Sequence, residues 1–139
     1  MENIKYPVDI CIAGIQKSEG EKDENTTKAK GDCYLRSGRY YILYTEEAEG
    51  QIIKNKIRIG EDDVEVIKTG AVDTKMRFKK GEVYAFTYNT PFGAILMTIH
   101  TKRLLMEKNE GYISAFIEYD LMADGRLISN SEIRISVNR

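Results

Sequence analysis

The chain has 139 residues, of which 42% are hydrophobic and 31% charged, and its formal net charge is −1. This length fits one domain with its own core, and the balanced charge provides no overall positive field that would hold nucleic acid or an anionic membrane. Apolar runs such as residues 94–97 are far shorter than the ~20 residues of a membrane-spanning helix, and the N-terminus has no cationic start before an apolar block, so we expect a cytoplasmic protein without a signal peptide.

Apolar and polar side chains alternate from the beginning of the chain, which is the period of a strand with one buried face. The first strand is predicted from one such set: Tyr6, Val8, Ile10 and Ile12. Residues 17–25, "KSEGEKDEN", are charged and contain glycine, which predicts an exposed loop. A second strand is expected over about residues 26–36. A turn at Ser37-Gly38 should then lead into a third strand, "RYYILYTEE".

The middle of the chain repeats this pattern in shorter units. Turns at "EAEG" and "GEDD" bound a strand whose Ile57 and Ile59 share a face with Asn55. The segments "VEVIKTG", "TKMRFKKG" and "GEVYAFTYNTP" alternate in the same way, and each predicts a strand. Pro91 and Gly93 predict a bend between two strands, because proline lacks a ladder donor and glycine permits tight curvature.

The last third of the chain predicts three more inward faces. These faces are Ile95, Met97 and Ile99; then Ile113, Ala115, Ile117, Tyr119 and Leu121; and finally Leu127, Ile133, Ile135 and Val137. Asp124-Gly125 is a hairpin dipeptide between the last two strands. The segment "RLLMEK" (residues 103–108) is predicted to form at most one or two helical turns.

No window of helical length has apolar residues at three- and four-residue spacing, and roughly nine extended segments follow one another closely. Such a pattern is typical of a sandwich or a closed barrel. Consecutive hairpins without a long crossover favour a meander, and closure removes the two exposed edges that an open meander would have. We therefore predict an all-β protein, a single closed or nearly closed antiparallel meander barrel of about eight to ten strands over residues 1–139.

Four segments in order, "GRYYILYTEEAEG", "VIKTGAV", "MRFKKGE" and "YNTPFGAI", resemble the YwiB-type bacterial family, a domain of unknown function with a calycin-like (lipocalin-like) β-barrel. The resemblance covers roughly residues 4–137. It implies a cytoplasmic barrel with no established activity. The positions that recur in the family fall here on Tyr44, Glu46, Gly50, Gly70, Phe78, Gly81, Thr90, Pro91 and Gly93. The family pattern has a basic residue, often Arg, where this chain has Lys68, which keeps the charge but lacks the planar fork. The chain also has no Trp, so it lacks the Gly-x-Trp of true lipocalins.

Two aromatic ladders suggest a small-ligand site in the lumen or at its mouth. Tyr40 and Tyr44 share the face of one strand, and Tyr84 and Tyr88 that of another. Phenolic hydroxyls in a lumen would orient a ligand, although these rings could equally pack the core or cover the outside. Glu46, at a strand end, could pair with Lys68 or Arg77, or lie in a solvated turn. Six residues make up the candidate ligand site: Tyr44, Glu46, Lys68, Arg77, Tyr88 and Thr90.

Neither the histidine nor the cysteines predict catalysis. By parity His100, the only histidine, lies with Thr98 and Lys102, which offer no carboxylate or activated nucleophile, so a surface or half-buried strand histidine is expected. A hairpin centred near residue 22 would bring Cys11 opposite Cys33, but in a reducing cytoplasm we expect two buried or half-buried thiols. No phosphate loop, nucleophile elbow, Cys-x-x-Cys or His-Glu-x-x-His motif is present, so we expect no enzyme activity, metal or cofactor.

The alternative function is an interaction module that binds a protein or RNA with the outer barrel surface. It would use two basic stripes: Lys54, Lys56 and Arg58, and Lys75, Arg77 and Lys79. The stripes lack interleaved aromatics for base stacking and "EDDVE" lies between them in sequence, so nucleic acid is disfavoured. A small molecule is the favoured partner, no membrane contact is expected, and a homo-oligomer stays open.

Overall fold

Alternation of apolar and polar side chains commits almost the whole chain to β-strands. The computed structural model describes residues 5–109 and 111–139. The expectation that the N-terminus is not a signal peptide falls partly on residues 1–4, which lie outside the described residues. The described residues contain ten strands and no helix. In chain order the strands are β1 (Lys5–Ser18), β2 (Glu21–Arg36), β3 (Arg39–Ala48), β4 (Gln51–Ile59), β5 (Asp63–Gly70), β6 (Thr74–Lys79), β7 (Val83–Thr90), β8 (Gly93–Asn109), β9 (Tyr112–Ala123) and β10 (Arg126–Asn138).

The strands form one antiparallel sheet in the order β6-β5-β4-β3-β2-β1-β10-β9-β8-β7. The ladder between β1 and β10, in which Ile10 faces Val137, joins the first and last strands, so that the meander rolls into a barrel. The seam of the barrel is the junction of β6 and β7, where the connection is held to β8 by a hydrogen bond from Gly81 N to Thr101 O (3.0 Å). The predicted all-β meander barrel is confirmed.

The segment at residues 17–25 is not a loop, as its composition predicted. β1 continues to Ser18 and β2 begins at Glu21, so the turn is only Glu19-Gly20, with φ of 45° and 81°. Charged residues are compatible with these strands because both faces of the hairpin tip are exposed while its backbone groups are paired across the ladder.

The segment at residues 103–108 is also a strand, so the prediction of a helical turn was wrong. Leu104 and Met106 pack against the core while Leu105 is 55% exposed, which is the alternation of a strand. A register shift between Thr101 and Arg103 moves the inward face from odd to even positions. Because of the shift, the inward apolar residues after Thr101 are out of phase with those of the first half of β8.

Leu127 was predicted to be buried, and this prediction was also wrong. A second register shift, between Leu127 and Ser129, leaves Leu127 57% exposed. Beyond the shift the alternation is regular again, and Ile135 and Val137 are each 1% exposed as predicted.

The two ends of the barrel differ. Four side chains with no exposed surface, Ile42, Ile59, Val64 and Phe78, lie toward the end where β4 turns into β5, which we call the closed end. In a meander every second turn lies at the same end, so the turns after β1, β3, β5, β7 and β9 surround the opposite, open end. The interior is therefore packed at one end and accessible at the other.

Gly31 marks the place where β2 and β3 separate. Their ladder runs only from Asp32 opposite Leu43 to Arg36 opposite Arg39. A Cβ at Gly31 would collide with the backbone carbonyl oxygen of Leu43, so the two strands approach closely here and have no ladder between them beyond it. Toward the open end the wall between β2 and β3 is therefore unpaired.

Candidate functional site

A cavity of about 400 Å³ occupies the barrel interior between the packed core and the open end. One wall is apolar and aromatic, with Phe86, Tyr88, Met97 and Leu121 from β7, β8 and β9. The β1–β2 hairpin contributes uncharged polar groups such as Asn25. The cavity thus has an apolar side and a polar side.

Three polar side chains on adjacent strands form a connected group in the wall between β3 and β5, which we call the Glu46–Asn55–Lys68 triad. Lys68 Nζ donates to Glu46 Oε1 at 3.0 Å and to Asn55 Oδ1 at 2.9 Å. Asn55 Nδ2 donates to the same Glu46 oxygen at 2.9 Å. Glu46 and Lys68 line the cavity, and their side chains are 30% and 33% exposed.

The strand register brings the triad together. Asn55 lies opposite Tyr44 on β3 and opposite Lys68 on β5, and Glu46 follows Tyr44 on the same face of its strand. Asn55 is 3% exposed, so its amide has left water and depends on its two partners for hydrogen bonds. Asn55 was not among the predicted site residues, although its position on a face shared with Ile57 and Ile59 indicated a polar group inside the barrel.

Tyr44 lines the cavity beside the triad, and its phenol is affected by the charge of Glu46. Burial, followed by the negative charge of Glu46, raises the pKa of Tyr44 to about 12. Burial also raises the pKa of Tyr119 on the opposite wall, although the hydrogen bond with Ser131 acts in the other direction. Both phenols are therefore neutral at physiological pH and can act as hydrogen-bond donors.

Four of the six candidate ligand-site residues meet at the cavity, and two do not. The four that line it are Tyr44, Glu46, Lys68 and Tyr88. Arg77 lies on the outer face, with Nη2 3.5 Å from Asp63 Oδ2 and Nε 3.3 Å from Glu82 Oε1. Thr90 closes the β7–β8 turn, where its Oγ1 donates to Gly93 O at 2.7 Å and accepts from Phe92 N at 3.2 Å.

The two basic stripes do not form one positive surface. β5 lies between β4 and β6, and its acidic residues pair with both neighbours. Arg58 lies 2.6 Å from Asp63 and 3.0 Å from Glu65, and Lys75 lies 3.6 Å from Glu65. Burial opposes the charge on Glu65, but the hydrogen bond from Arg58 and the positive charges of Arg58 and Lys75 together outweigh it and lower the pKa of the carboxyl. Around β5, three basic residues of the stripes, Arg58, Lys75 and Arg77, are thus paired with acids.

The residues that looked chemically active in the sequence lie away from the cavity lining. His100 is half-buried on β8 opposite Asp120 and Val83, as predicted for a strand histidine. Cys11 lies opposite Lys28, and Cys33 lies opposite Tyr6 on the other face of the sheet. Both cysteines are free, Cys33 buried and Cys11 half-buried, in agreement with the expected thiols.

The described residues contain neither a metal-binding cluster nor a membrane-spanning helix. Within residues 5–109 and 111–139, no group of three or more His, Cys, Asp or Glu side chains is arranged to hold a metal ion. In the same described parts, no helix has the length and apolar character needed to cross a membrane.

The fold and the cavity define the class of protein, an antiparallel β-barrel with a packed end and an accessible interior. The chain belongs to the family described as "Domain of unknown function (DUF1934)", whose model matches residues 10–135. It is 24% identical over 115 residues to the "Uncharacterized beta-barrel protein YwiB" of Bacillus subtilis (strain 168), a match that covers 83% of this chain and 81% of that protein. The crystal structure of the ywiB protein from Bacillus subtilis superposes with a TM-score of 0.85 at 21% identity, over 96% of this chain and 92% of that chain. The resemblance inferred from the four sequence segments is confirmed, and the structural likeness establishes the fold.

Proposed function

We propose that the protein binds a small molecule in the barrel interior, which enters through the open end. The observation that carries this proposal is the cavity of about 400 Å³, which combines an apolar wall with the Glu46–Asn55–Lys68 triad. Ligand pockets typically have volumes of about 300–1,000 Å³, mostly apolar walls and a few placed polar groups.

Two features support a binding role over a purely structural interior. Protein cores are close-packed and contain few voids larger than a water molecule, so a void of this size is unusual for a lumen that serves only as core. Polar and charged groups such as Asn55 and Lys68 are also costly inside a barrel wall, since apolar residues of similar volume are often neutral or stabilising there. A ligand that uses these groups would explain why both are present.

The proposal is for binding without catalysis. Glu46, the cavity carboxylate, is already engaged by Lys68 and Asn55 through Oε1, and the described residues of the lining include no histidine or cysteine that could act with it. His100 does not line the cavity. The proposal also includes a cytoplasmic location, which suits two free thiols, and a likeness to calycin carriers, which rests on architecture alone.

Native mass spectrometry of protein purified from its natural host tests the proposal. We expect an adduct of small mass on the wild-type protein. Val66→Phe should abolish it by filling the cavity, whereas Ile67→Phe, the neighbour on the outer face of β5, should keep it. Wild-type protein without an adduct, or an adduct that persists in the Val66→Phe variant, would contradict a ligand site in the interior.

A second candidate, the interaction module, is favoured by the distribution of exposed apolar side chains. Ile52, Phe92, Leu96 and Leu127 are 52–100% exposed, and all lie near the open end. Since the basic stripes are interrupted by acids, a second copy of the chain or another protein fits this surface better than RNA does. Light scattering over a concentration series tests self-association: Phe92→Ser should shift a dimer toward monomer, and a wild-type chain that is monomeric throughout would count against a second copy.

A further inference from the structure

The charges that line the cavity cancel. Among the described residues of the lining, Glu46 and Lys68 are the charged ones, and they form an ion pair at 3.0 Å. The other polar lining groups are amides, hydroxyls and phenols, such as Gln16, Thr27 and Tyr119. The interior therefore has no net charge with which to compensate a charged ligand.

Asn55 also holds both members of the ion pair. Asn55 donates to Glu46 and accepts from Lys68, so each charge has two partners inside the triad. A ligand carboxylate that reached Lys68 would lie beside the Glu46 carboxylate, and a ligand ammonium at Glu46 would lie beside Lys68. Like charges at such short range repel strongly in a partly buried site, and the ligand would also lose its hydration.

The triad still offers hydrogen bonds. An ammonium group has three N–H donors, and Lys68 uses two of them on Glu46 and Asn55. Both triad bonds to Glu46 end on Oε1, and in the described parts of the chain no hydrogen bond reaches Oε2. One donor and one acceptor thus remain side by side in the wall.

The opposite wall complements this arrangement. Phe86, Met97 and Leu121 provide apolar surface, and the Tyr88 ring, 46% exposed, lies toward the opening. A planar apolar body fits against such a surface, because aromatic rings and thioethers pack well on flat groups. The polar edge of the ligand would then face the triad.

We infer that the interior selects uncharged amphipathic molecules that present a hydrogen-bond donor beside an acceptor, as a primary amide or a lactam does, and that it rejects carboxylates and amines of the same shape. This inference rests on the proposed function, since it names the ligand class of the same cavity.

Three probes of one shape test the ligand class: 2-naphthamide, 2-naphthoate and 2-naphthylmethylammonium at neutral pH. Binding is followed by NMR of the methyl groups of Ile57, Met76 and Met97, which line the cavity. The wild-type protein should bind the amide at least about tenfold more tightly than either charged probe, a difference of about 1.4 kcal/mol. Equal affinities, or preference for a charged probe, would overturn the inference.

Two variants should change the selectivity in opposite directions. Glu46→Gln leaves Lys68 without its counter-charge and should make naphthoate the preferred probe. Lys68→Met leaves Glu46 alone and should favour naphthylmethylammonium. Glu47→Gln and Lys56→Met, exposed neighbours on the outer face, should keep the preference for the amide. If the two triad variants select probes as the wild type does, the triad does not contact the ligand and the inference fails.

The outcomes separate the inference from the proposed function. If none of the probes shifts the cavity methyl groups while native mass spectrometry finds an adduct that Val66→Phe abolishes, the ligand class is wrong and the binding site stands. If the probes do not bind and the adduct is also missing, both fail.

Discussion

The rings of Phe78 and Tyr119 meet with centroids 4.9 Å apart and planes tilted by 57°. Phe78 comes from β6 and Tyr119 from β9, and both are buried and line the cavity. Each ring thus belongs both to the buried core and to the lining of the cavity. A substitution at either ring should therefore change both the stability of the barrel and the size of its cavity.

Phe78→Ala should lower the free energy of unfolding by about 3–5 kcal/mol, because it removes a fully buried ring and enlarges the cavity that this ring lines. Urea unfolding followed by circular dichroism measures the change. Phe116→Ala is the matched control, since Phe116 lies on the outer face with its ring 4.6 Å from the Arg134 guanidinium carbon and should cost less than half as much. Equal losses in the two variants would mean that Phe78 does not pack as a core residue.

Asn55→Ala should cost about 1–3 kcal/mol of unfolding free energy, because a buried amide that satisfies two charged partners is lost. Asn25→Ala, at the exposed mouth of the cavity, should stay within about 0.5 kcal/mol of the wild type. Chemical denaturation of both variants provides the comparison. An Asn55→Ala protein as stable as Asn25→Ala would show that the triad contributes nothing to the fold.

Tyr44 should make the protein less stable at alkaline pH. Its pKa is about 12 in the folded state and 10.0 in the ordinary case, so the folded state holds the phenolic proton more tightly. The stabilisation is complete below pH 10 and is lost as the pH rises toward 12, by up to about 3 kcal/mol for a shift of this size. In urea unfolding measured from pH 8 upward, the unfolding free energy of Tyr44→Phe should fall less steeply with pH than that of the wild type.

Tyr34→Phe is the control for that titration, because Tyr34 stacks on Tyr41 with centroids 5.0 Å apart on the outer face. It should decline with pH as the wild type does. If Tyr44→Phe and Tyr34→Phe have the same pH profile, the Tyr44 phenol is not the group responsible.

Gly31→Ala should destabilise the protein by about 1–3 kcal/mol or more, because the new methyl group meets the Leu43 carbonyl oxygen and the strands must move apart. Gly14→Ala is the control within a neighbouring strand, where the nearest atom to a new Cβ is the Asn25 side-chain oxygen at 3.2 Å, which can move away. Thermal unfolding distinguishes the two. A Gly31→Ala variant no less stable than Gly14→Ala would contradict the close approach of β2 and β3.

Much of the fold was predictable because alternation is a local property that fixes which face of each strand is buried. The predictions that failed at residues 103–108 and at Leu127 both adjoin register shifts, and a shift depends on the partner strand rather than on the segment itself. The loop predicted at residues 17–25 failed for another reason. Its charges indicated exposure correctly, but exposure does not prevent a two-stranded ribbon from pairing its backbone.

The site was predictable where turns fixed the register. The "EAEG" turn sets β3 against β4, and the next turn sets β5, so that Glu46 and Lys68 come within 3.0 Å. Arg77 was included in the site although it alternates with Met76 and Phe78, and that alternation already indicated the outer face. The cavity itself was only anticipated, because the volume left between side chains depends on their packing in three dimensions.

The position of the seam has a consequence for chain connectivity. The described strands are joined by nine ladders, and the connection between β6 and β7 links two strands that share none of them. The first and last strands, β1 and β10, lie side by side, with Asp9 opposite Asn138. A circularly permuted chain that links β10 to β1 and starts anew beside the exposed Lys80 would keep all nine ladders, because the new opening falls at the seam, where the described strands share no ladder.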